Sequence, residues 1–257
     1  MTGAYNESTY CFEVSKDEGA GNGYGFTMPI TVGQNATVKV NLIGTYKGTQ
    51  GGFRVWLGSN GNAGTNVETV NTFIADGTFD AVVYLTGTGA RDLNELRIKA
   101  ISNSAYIDNL VIRGIGVSEI DVYDQDLDLS KVEIGDSSVN KGAYDSTSKA
   151  LVVSGDSGSG AGYFFALPAT VPVGTSIEVQ VEGSYTGTEG GFRMWLGTGA
   201  NAHGDIKSIS ASSTFNETFT LAPTDTSCNR LTIKSNAGSK LTGLTVTKIH
   251  VKYYLDK

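Results

Sequence analysis

The sequence predicts an all-β protein made of two tandem β-sandwich domains of the jelly-roll type. Three observations predict it. The first is a repeat within the 257 residues. Gly44–Ala63 reads GTYKGTQGGFRVWLGSNGNA and Gly183–Ala202 reads GSYTGTEGGFRMWLGTGANA, an offset of 139 residues. The same offset carries Gly3-Ala4-Tyr5 onto Gly142-Ala143-Tyr144 and Tyr24 onto Tyr163, so one module is present in two copies. The second observation is that apolar residues recur at every second position, the period of a strand. The third is that the alternating segments are short and separated by clusters of Gly, Asn, Asp and Ser. Many short strands with such turns indicate a sandwich.

The first unit is expected over residues 1–120 and the second over 121–257. In the first, Thr37–Leu42 turns Val38, Val40 and Leu42 inward, and Ile177, Val179 and Val181 repeat the row. The strand Phe53-Arg54-Val55-Trp56-Leu57 follows, with Phe192-Arg193-Met194-Trp195-Leu196 as its copy. Phe79, Ala81, Val83 and Leu85 form the next row, echoed by Phe215, Phe219 and Leu221. Leu96, Ile98 and Ala100 match Leu231, Ile233 and Ser235, and Leu110 and Ile112 match Leu244 and Val246. Between the units, Asp126–Ile134 (DLDLSKVEI) alternates well enough to be a strand that opens the second unit. The first unit has no counterpart to it. On this reading the first unit is short by one strand, which leaves a sheet edge exposed, and the sequence reads as part of a larger multidomain protein.

The formal charge of −7 argues against a nucleic-acid partner, which needs a clustered basic face. It also argues against anionic membranes and polyanionic ligands, and makes a neutral ligand the easier partner. The 2 cysteines stand at non-equivalent positions, Cys11 aligning with Ala150, which excludes a disulfide repeated in both modules and leaves free thiols as the expectation. No paired Cys and His spacing marks zinc. A unit that is useful twice favours binding over catalysis, because two weak sites on one polymer reinforce each other.

The strand with the most chemistry is the repeated Phe-Arg-x-Trp-Leu. Side chains alternate across a strand. Phe, Val or Met, and Leu therefore face the core, while Arg54 with Trp56 and Arg193 with Trp195 face the other way. An exposed indole offers a flat apolar surface with an N–H at its edge, and the arginine beside it offers a planar fork of donors. Together they suit a pyranose ring. The alternative is an arginine that simply covers its tryptophan as a cation–π pair. That both tryptophans of the chain sit here, each with its arginine, favours binding. Asn62 and Asn201, in the loop that follows, reach a ligand hydroxyl or serve their own turn. Tyr24 and Tyr163 share the parity of Phe26 and Phe165, which places them in the core or at its rim as readily as on a ligand platform. Tyr84 points to the polar face of its strand. If that strand lies in the sheet of Trp56, Tyr84 adds a second aromatic wall to the first site.

The Gly-Gly-Phe-Arg-x-Trp-Leu strand in two jelly-roll units, with the closing Tyr106-Ile107-Asp108-Asn109-Leu110-Val111-Ile112, resembles carbohydrate-binding modules. The nearest in pattern are the galactose-binding-like modules attached to bacterial xylanases and other plant-cell-wall hydrolases, such as families 4, 9, 16 and 22. The resemblance implies a non-catalytic, extracellular bacterial protein that holds an attached hydrolase on its substrate. It implies a glycan groove across one sheet, formed here by Trp56 with Arg54 and by Trp195 with Arg193. Xylan is the first ligand it points to, with β-glucan next. It requires no cofactor, but implies a structural calcium with Asp108 as a ligand; Thr242 replaces that residue in the second unit. Asp17 and Asp156, beside Gly-rich turns, are further calcium ligands or ordinary turn aspartates. A glycoside hydrolase needs two carboxylates about one bond, and only the Asp17/Asp156 pair recurs between the copies, away from the Arg–Trp strand. His203 and His250 are not repeated, and no Ser-His-Asp arrangement is expected. The competing reading is an adhesion or protein-interaction module that uses the Arg–Trp strand as its interface.

Overall fold

The computed structural model describes residues 2–16, 23–46, 52–59, 62–70, 77–89, 92–101, 107, 109–156, 162–186, 190–210, 213–236 and 240–257. The protein is all-β. Its two compact units are Met1–Asp121 with Asp256–Lys257, and Val122–Leu255. The strands of the first half are β1 (Thr2–Asn6), β2 (Cys11–Lys16), β3 (Tyr24–Val32), β4 (Thr37–Tyr46), β5 (Phe53–Ser59), β6 (Asn62–Ala63), β7 (Glu68–Val70), β8 (Gly77–Thr86), β9 (Leu93–Ala100) and β10 (Leu110–Asp126). Those of the second are β11 (Glu133–Ile134), β12 (Asn140–Asp145), β13 (Ala150–Asp156), β14 (Tyr163–Val171), β15 (Ile177–Tyr185), β16 (Phe192–Gly197), β17 (Ala202–Ile209), β18 (Phe215–Leu221), β19 (Cys228–Ser235) and β20 (Leu244–Asp256).

Each unit is an antiparallel β-sandwich. In the first, one sheet runs β1-β2-β10-β4-β8 and the other β3-β9-β5-β7, with β6 paired to the end of β5. In the second, β12-β13-β20-β15-β18 faces β11-β14-β19-β16-β17. The inward rows read from the sequence fill the space between the sheets. Val38, Val40, Leu42, Phe53, Val55, Leu57, Leu96 and Ile98 pack into one core, and Val179, Val181, Phe192, Met194, Leu196, Leu231 and Ile233 into the other. Burial of such side chains stabilises each sandwich by about 1.5–3 kcal/mol apiece.

Gly44 and Gly183, which open the repeated passage, sit where β4 and β15 pass a register shift in their neighbours β10 and β20. A side chain there would collide with the carbonyl of Val111 or of Thr245, so both copies keep glycine. Cys11 and Cys228 are free and buried. Burial, helped by the nearby Asp225, pushes the Cys228 thiol above its ordinary pKa.

The segment Asp126–Ile134 differs from the continuous strand its alternation predicts. Asp126 ends β10, Leu129–Lys131 form a single 3-10 turn, and only Glu133–Ile134 pair as a strand. The alternation still has a packing cause, because Leu127 and Leu129 both enter the core of the second unit. Asp128 caps the turn by accepting from the Ser130 backbone N–H at 3.0 Å. A capped turn therefore replaces strand pairing there.

Candidate functional site: the outer face of the Arg–Trp sheet

In both units the Phe-Arg-x-Trp-Leu strand is central to its sheet, between β9 and β7 or between β19 and β17. Phe, Val or Met, and Leu point into the sandwich. Neither tryptophan belongs to the core cluster, which puts Arg54 with Trp56 and Arg193 with Trp195 on the outer face, as alternation requires. The expectation of an exposed indole is corrected. Trp56 is 5% exposed and Trp195 3%. Gly58 lies near the end of β5 and Gly197 ends β16, and the chain then folds back so closely that a Cβ on either glycine would collide with the carbonyl of Asn62 or of Asn201. The glycines thus admit the chain's own backbone. In the second unit the Arg193 guanidinium lies over the indole, 5.4 Å from its centroid. The covering cation–π pair weighed from the sequence is present there.

What remains open in the second unit is a cavity of about 380 Å³, lined by Arg193, Trp195, Ala200, Asn201, Ala202, Ile206 and Lys234. Cross-strand pairing sets its walls: Trp195 stands opposite Ile206, and Arg193 opposite Lys234. Two buried donors belong to this site. The Trp195 indole N–H and the Arg193 Nε–H have no hydrogen-bond partner among the described residues. A buried donor left unmade costs about 1–3 kcal/mol, so each would be stabilised by an acceptor. The charged residues of the lining are both cations. Ile206 and Lys234 were not singled out by sequence reasoning. Lys99 and Lys234 do recur at matching positions, which was the available signal. Ile206 is a half-exposed isoleucine on the polar face of its strand, visible only once β17 is paired with β16.

The loop beside the cavity is tied down by a line of side chains. The Thr198 hydroxyl lies 3.2 Å from His203 Nε2, and His203 Nδ1 lies 3.0 Å from Asp225. The His203 carbonyl accepts from the Thr224 N–H at 3.0 Å. This hydroxyl–imidazole–carboxylate line is not visible in the sequence, because Asp225 lies 22 residues beyond His203. The Asp225 side chain is 67% exposed, so water screens its charge from the imidazole. The line acts as a clasp between β17 and the turn after β18.

In the first unit the neighbours of the tryptophan differ. Trp56 stands opposite Arg97, which is ion-paired to Glu95 at 2.8 Å. Arg54 donates from Nε to the Ala100 carbonyl at 3.1 Å, and Arg54 stands opposite Lys99. The Trp56 indole N–H is again buried, with no hydrogen-bond partner among the described residues.

The other predicted residues fall as follows. Asn201 lines the cavity, and Asn62 is exposed on β6. Tyr163 is a core residue, wholly buried, so it cannot contact a ligand. Burial, then the charge of Asp156, raises its pKa. Tyr24 packs partly buried against the other core. Tyr84 lies on β8, in the sheet opposite that of Trp56, so it builds no second wall to the Arg–Trp site. Asp156 is 2% exposed at the end of β13 and bridges to Leu241, unlike a solvated turn aspartate. Asp108 and Asp17 lie outside the described residues. Among the described residues no group of three or more His, Cys, Asp or Glu side chains could hold a metal ion. Likewise, no described helix is long and apolar enough to cross a membrane.

No protein-family model and no curated protein matches the chain. Solved structures do. One is the N-terminal CBM22-1–CBM22-2 tandem domain of Paenibacillus barcinonensis Xyn10C, at 11% identity and a TM-score of 0.36, covering 95% of this chain and 86% of that one. Another is a complex of the plant peptide RALF23 with FER and LLG2, at 11% identity and a TM-score of 0.30, covering 95% and 83%. A third is the ANXUR1 extracellular domain from Arabidopsis thaliana, at 7% identity and a TM-score of 0.28, also covering 95% and 83%.

Proposed function

We propose that this is a non-catalytic polysaccharide-binding protein and that the cavity beside Trp195 is a sugar subsite. One observation carries the reading: two buried donors without partners among the described residues, the Trp195 indole N–H and Arg193 Nε–H, border a cavity of about 380 Å³. Sugar hydroxyls and ring oxygens are the acceptors such donors take. Ile206 and the indole supply apolar contact to a ring's C–H face, while Asn201 and Lys234 supply hydrogen bonds. Because Arg193 lies over the indole, the sugar meets the guanidinium and the indole edge in place of a bare platform. A subsite of this kind binds with roughly −4 to −8 kcal/mol, millimolar to micromolar. The Arg54–Trp56 face is the second site, and engagement of both by one polymer raises avidity up to ~10²–10⁴-fold.

The chain's charge of −7 favours a neutral polymer at long range, whereas both charged residues of the cavity are cations. At the site itself this favours a polymer with carboxylates at intervals, such as a xylan bearing uronic-acid side groups. The same reading places the protein outside the cell, holding a hydrolase on its substrate. Affinity gel electrophoresis against glucuronoxylan, arabinoxylan and mixed-linkage β-glucan tests it. The expected result is retardation by xylan, strongest for the uronate-bearing form and weakened in Arg193→Gln. Equal retardation by the neutral and acidic xylans would remove the preference for charge. Migration unchanged by every polysaccharide would refute the reading.

A further inference from the structure

We infer that His250 is a pH-sensitive latch: as an imidazolium it holds the end of β10 against β20, and on losing its proton it releases one of two carboxylates. The ring lies between two aspartates of β10, with Nδ1 2.8 Å from Asp126 Oδ1 and Nε2 2.9 Å from Asp124 Oδ1. An ionised carboxylate only accepts hydrogen bonds, and a neutral imidazole has one N–H and one bare lone pair. A neutral ring would therefore aim its lone pair at a carboxylate, and satisfying both contacts takes a second proton. Carboxyls ordinarily give up their protons well before an imidazole does. Asp124 is held below its ordinary value, chiefly by the hydrogen bond from Lys252. The second proton therefore belongs on the ring.

The other groups on this face fit that assignment. On β20, Lys248 and Lys252 share the face of His250 by alternation. Lys252 is 3.2 Å from Asp124, and that hydrogen bond is the main cause that raises its pKa above the ordinary value of 10.5, so it keeps its charge while the ring titrates. Lys248 is 3.6 Å from Glu182. On β15, the neutral Gln180 stands opposite His250, with Glu178 opposite Lys252 and Glu182 opposite Lys248.

The latch sits just before the chain turns its apolar residues inward. On the other face of the same strands Tyr123 stacks on Tyr253, with centroids 4.8 Å apart. The Leu127 N–H, next to Asp126, donates to the Ile249 carbonyl at 2.8 Å, and Leu127 and Leu129 enter the core of the second unit. The latch is complete at low pH, where the ring carries its second proton, and it loses one contact as pH rises. The Asp124 and Asp126 side chains are 43% and 61% exposed, so water screens both contacts. The result is a local loosening at Asp126–Leu127, with the sandwich still folded.

Amide hydrogen exchange of the full chain at pH 5 and pH 9, corrected for intrinsic rates and read at Leu127, tests the latch. Protection in the parent should fall about threefold between the two. His250→Gln should be less protected than the parent at pH 5 and show no fall. Asp126→Asn separates a charge effect from simple damage. Its amide N–H can donate to the lone pair of a neutral ring, so it should stay protected at pH 9 and lose the pH dependence. The fall in the parent should follow the titration of the His250 ring nitrogens, read from their 15N shifts. Protection that does not change with pH in the parent would overturn the proposal, as would the same fall in His250→Gln or in Asp126→Asn. A fall that followed the titration of His203 instead would also overturn it.

Discussion

Trp56 and Trp195 occupy the same place in two copies of one sheet, yet their surroundings differ. Opposite Trp56 stands Arg97, held by Glu95. Opposite Trp195 stands Thr232, wholly buried, its hydroxyl 3.5 Å from the Gly199 carbonyl. The indoles are covered to the same degree, but the face of the second unit keeps a cavity with Lys234 and Ile206 in its wall. The repeated strand and its glycine thus set where the indole goes, and the neighbouring strands set what the face can hold. The largest test of the first half of that statement is Trp→Ala in either unit. Both indoles are buried, so each substitution should cost about 3–5 kcal/mol in stability, read from denaturant midpoints. Loss of sugar binding at unchanged stability would show that the indole is an exposed platform after all. Trp195→Phe separates the roles further, since it keeps a ring and removes the unpartnered N–H. It should lower stability less than Trp195→Ala while still weakening polysaccharide retention.

The second half of the comparison rests on the cations. Arg193→Gln should weaken retention on uronate-bearing xylan about tenfold or more, the effect of a hydrogen bond to a charged group at roughly 1.5–3 kcal/mol. Arg54→Gln should do less, because Arg54 already spends its Nε–H on the Ala100 carbonyl. Equal losses in the two variants, measured by affinity electrophoresis of the full chain, would make the two faces equivalent. Exchanging the opposing residue sharpens the point. Thr232→Arg forces a long cation beneath the Gly199 carbonyl and should cost about 1–3 kcal/mol by overpacking.

Most of the fold was legible because the inward rows alternate, with an interruption such as Glu217 in the row of Phe215, Phe219 and Leu221. Val38, Val40 and Leu42 needed only the period of two, and Arg54 and Trp56 fell on the opposite face by the same rule. What alternation cannot report is the cover over a face. It placed the tryptophans correctly and their exposure wrongly, because what covers a face, such as the Arg193 guanidinium over the Trp195 indole, is set by packing and not by the period. It placed Tyr84 on a polar face but not in a sheet, since strand order is a long-range property. The Thr198–His203–Asp225 clasp was invisible for the same reason. The turn at Leu129–Lys131 was hidden by its own apolar residues, which satisfy a strand pattern and a capped 3-10 turn equally well.

The smallest expected difference between the units lies on β20. His250 sits with its ring nitrogens 2.8 Å from Asp126 and 2.9 Å from Asp124, and Lys252 is 3.2 Å from Asp124. The first unit has Gly116 and Ser118 at the matching places on β10, so it lacks this cluster. Chiefly the hydrogen bond from Lys252, and then the contact with His250, hold the Asp124 carboxyl below its ordinary value of 3.8. A carboxyl lowered in the folded state contributes stability above its unfolded value, and that contribution is lost as pH falls through the folded one. The Asp124 side chain is 43% exposed, and solvent screening keeps the whole effect below about 1 kcal/mol. Asp124→Asn should therefore be slightly less stable than the parent near neutral pH, and the two should converge in acid, once pH falls below the lowered folded-state value. Urea melts at both pH values in low salt would check this. A difference that persisted in acid would mean that the aspartate acts through packing and that its charge contributes nothing.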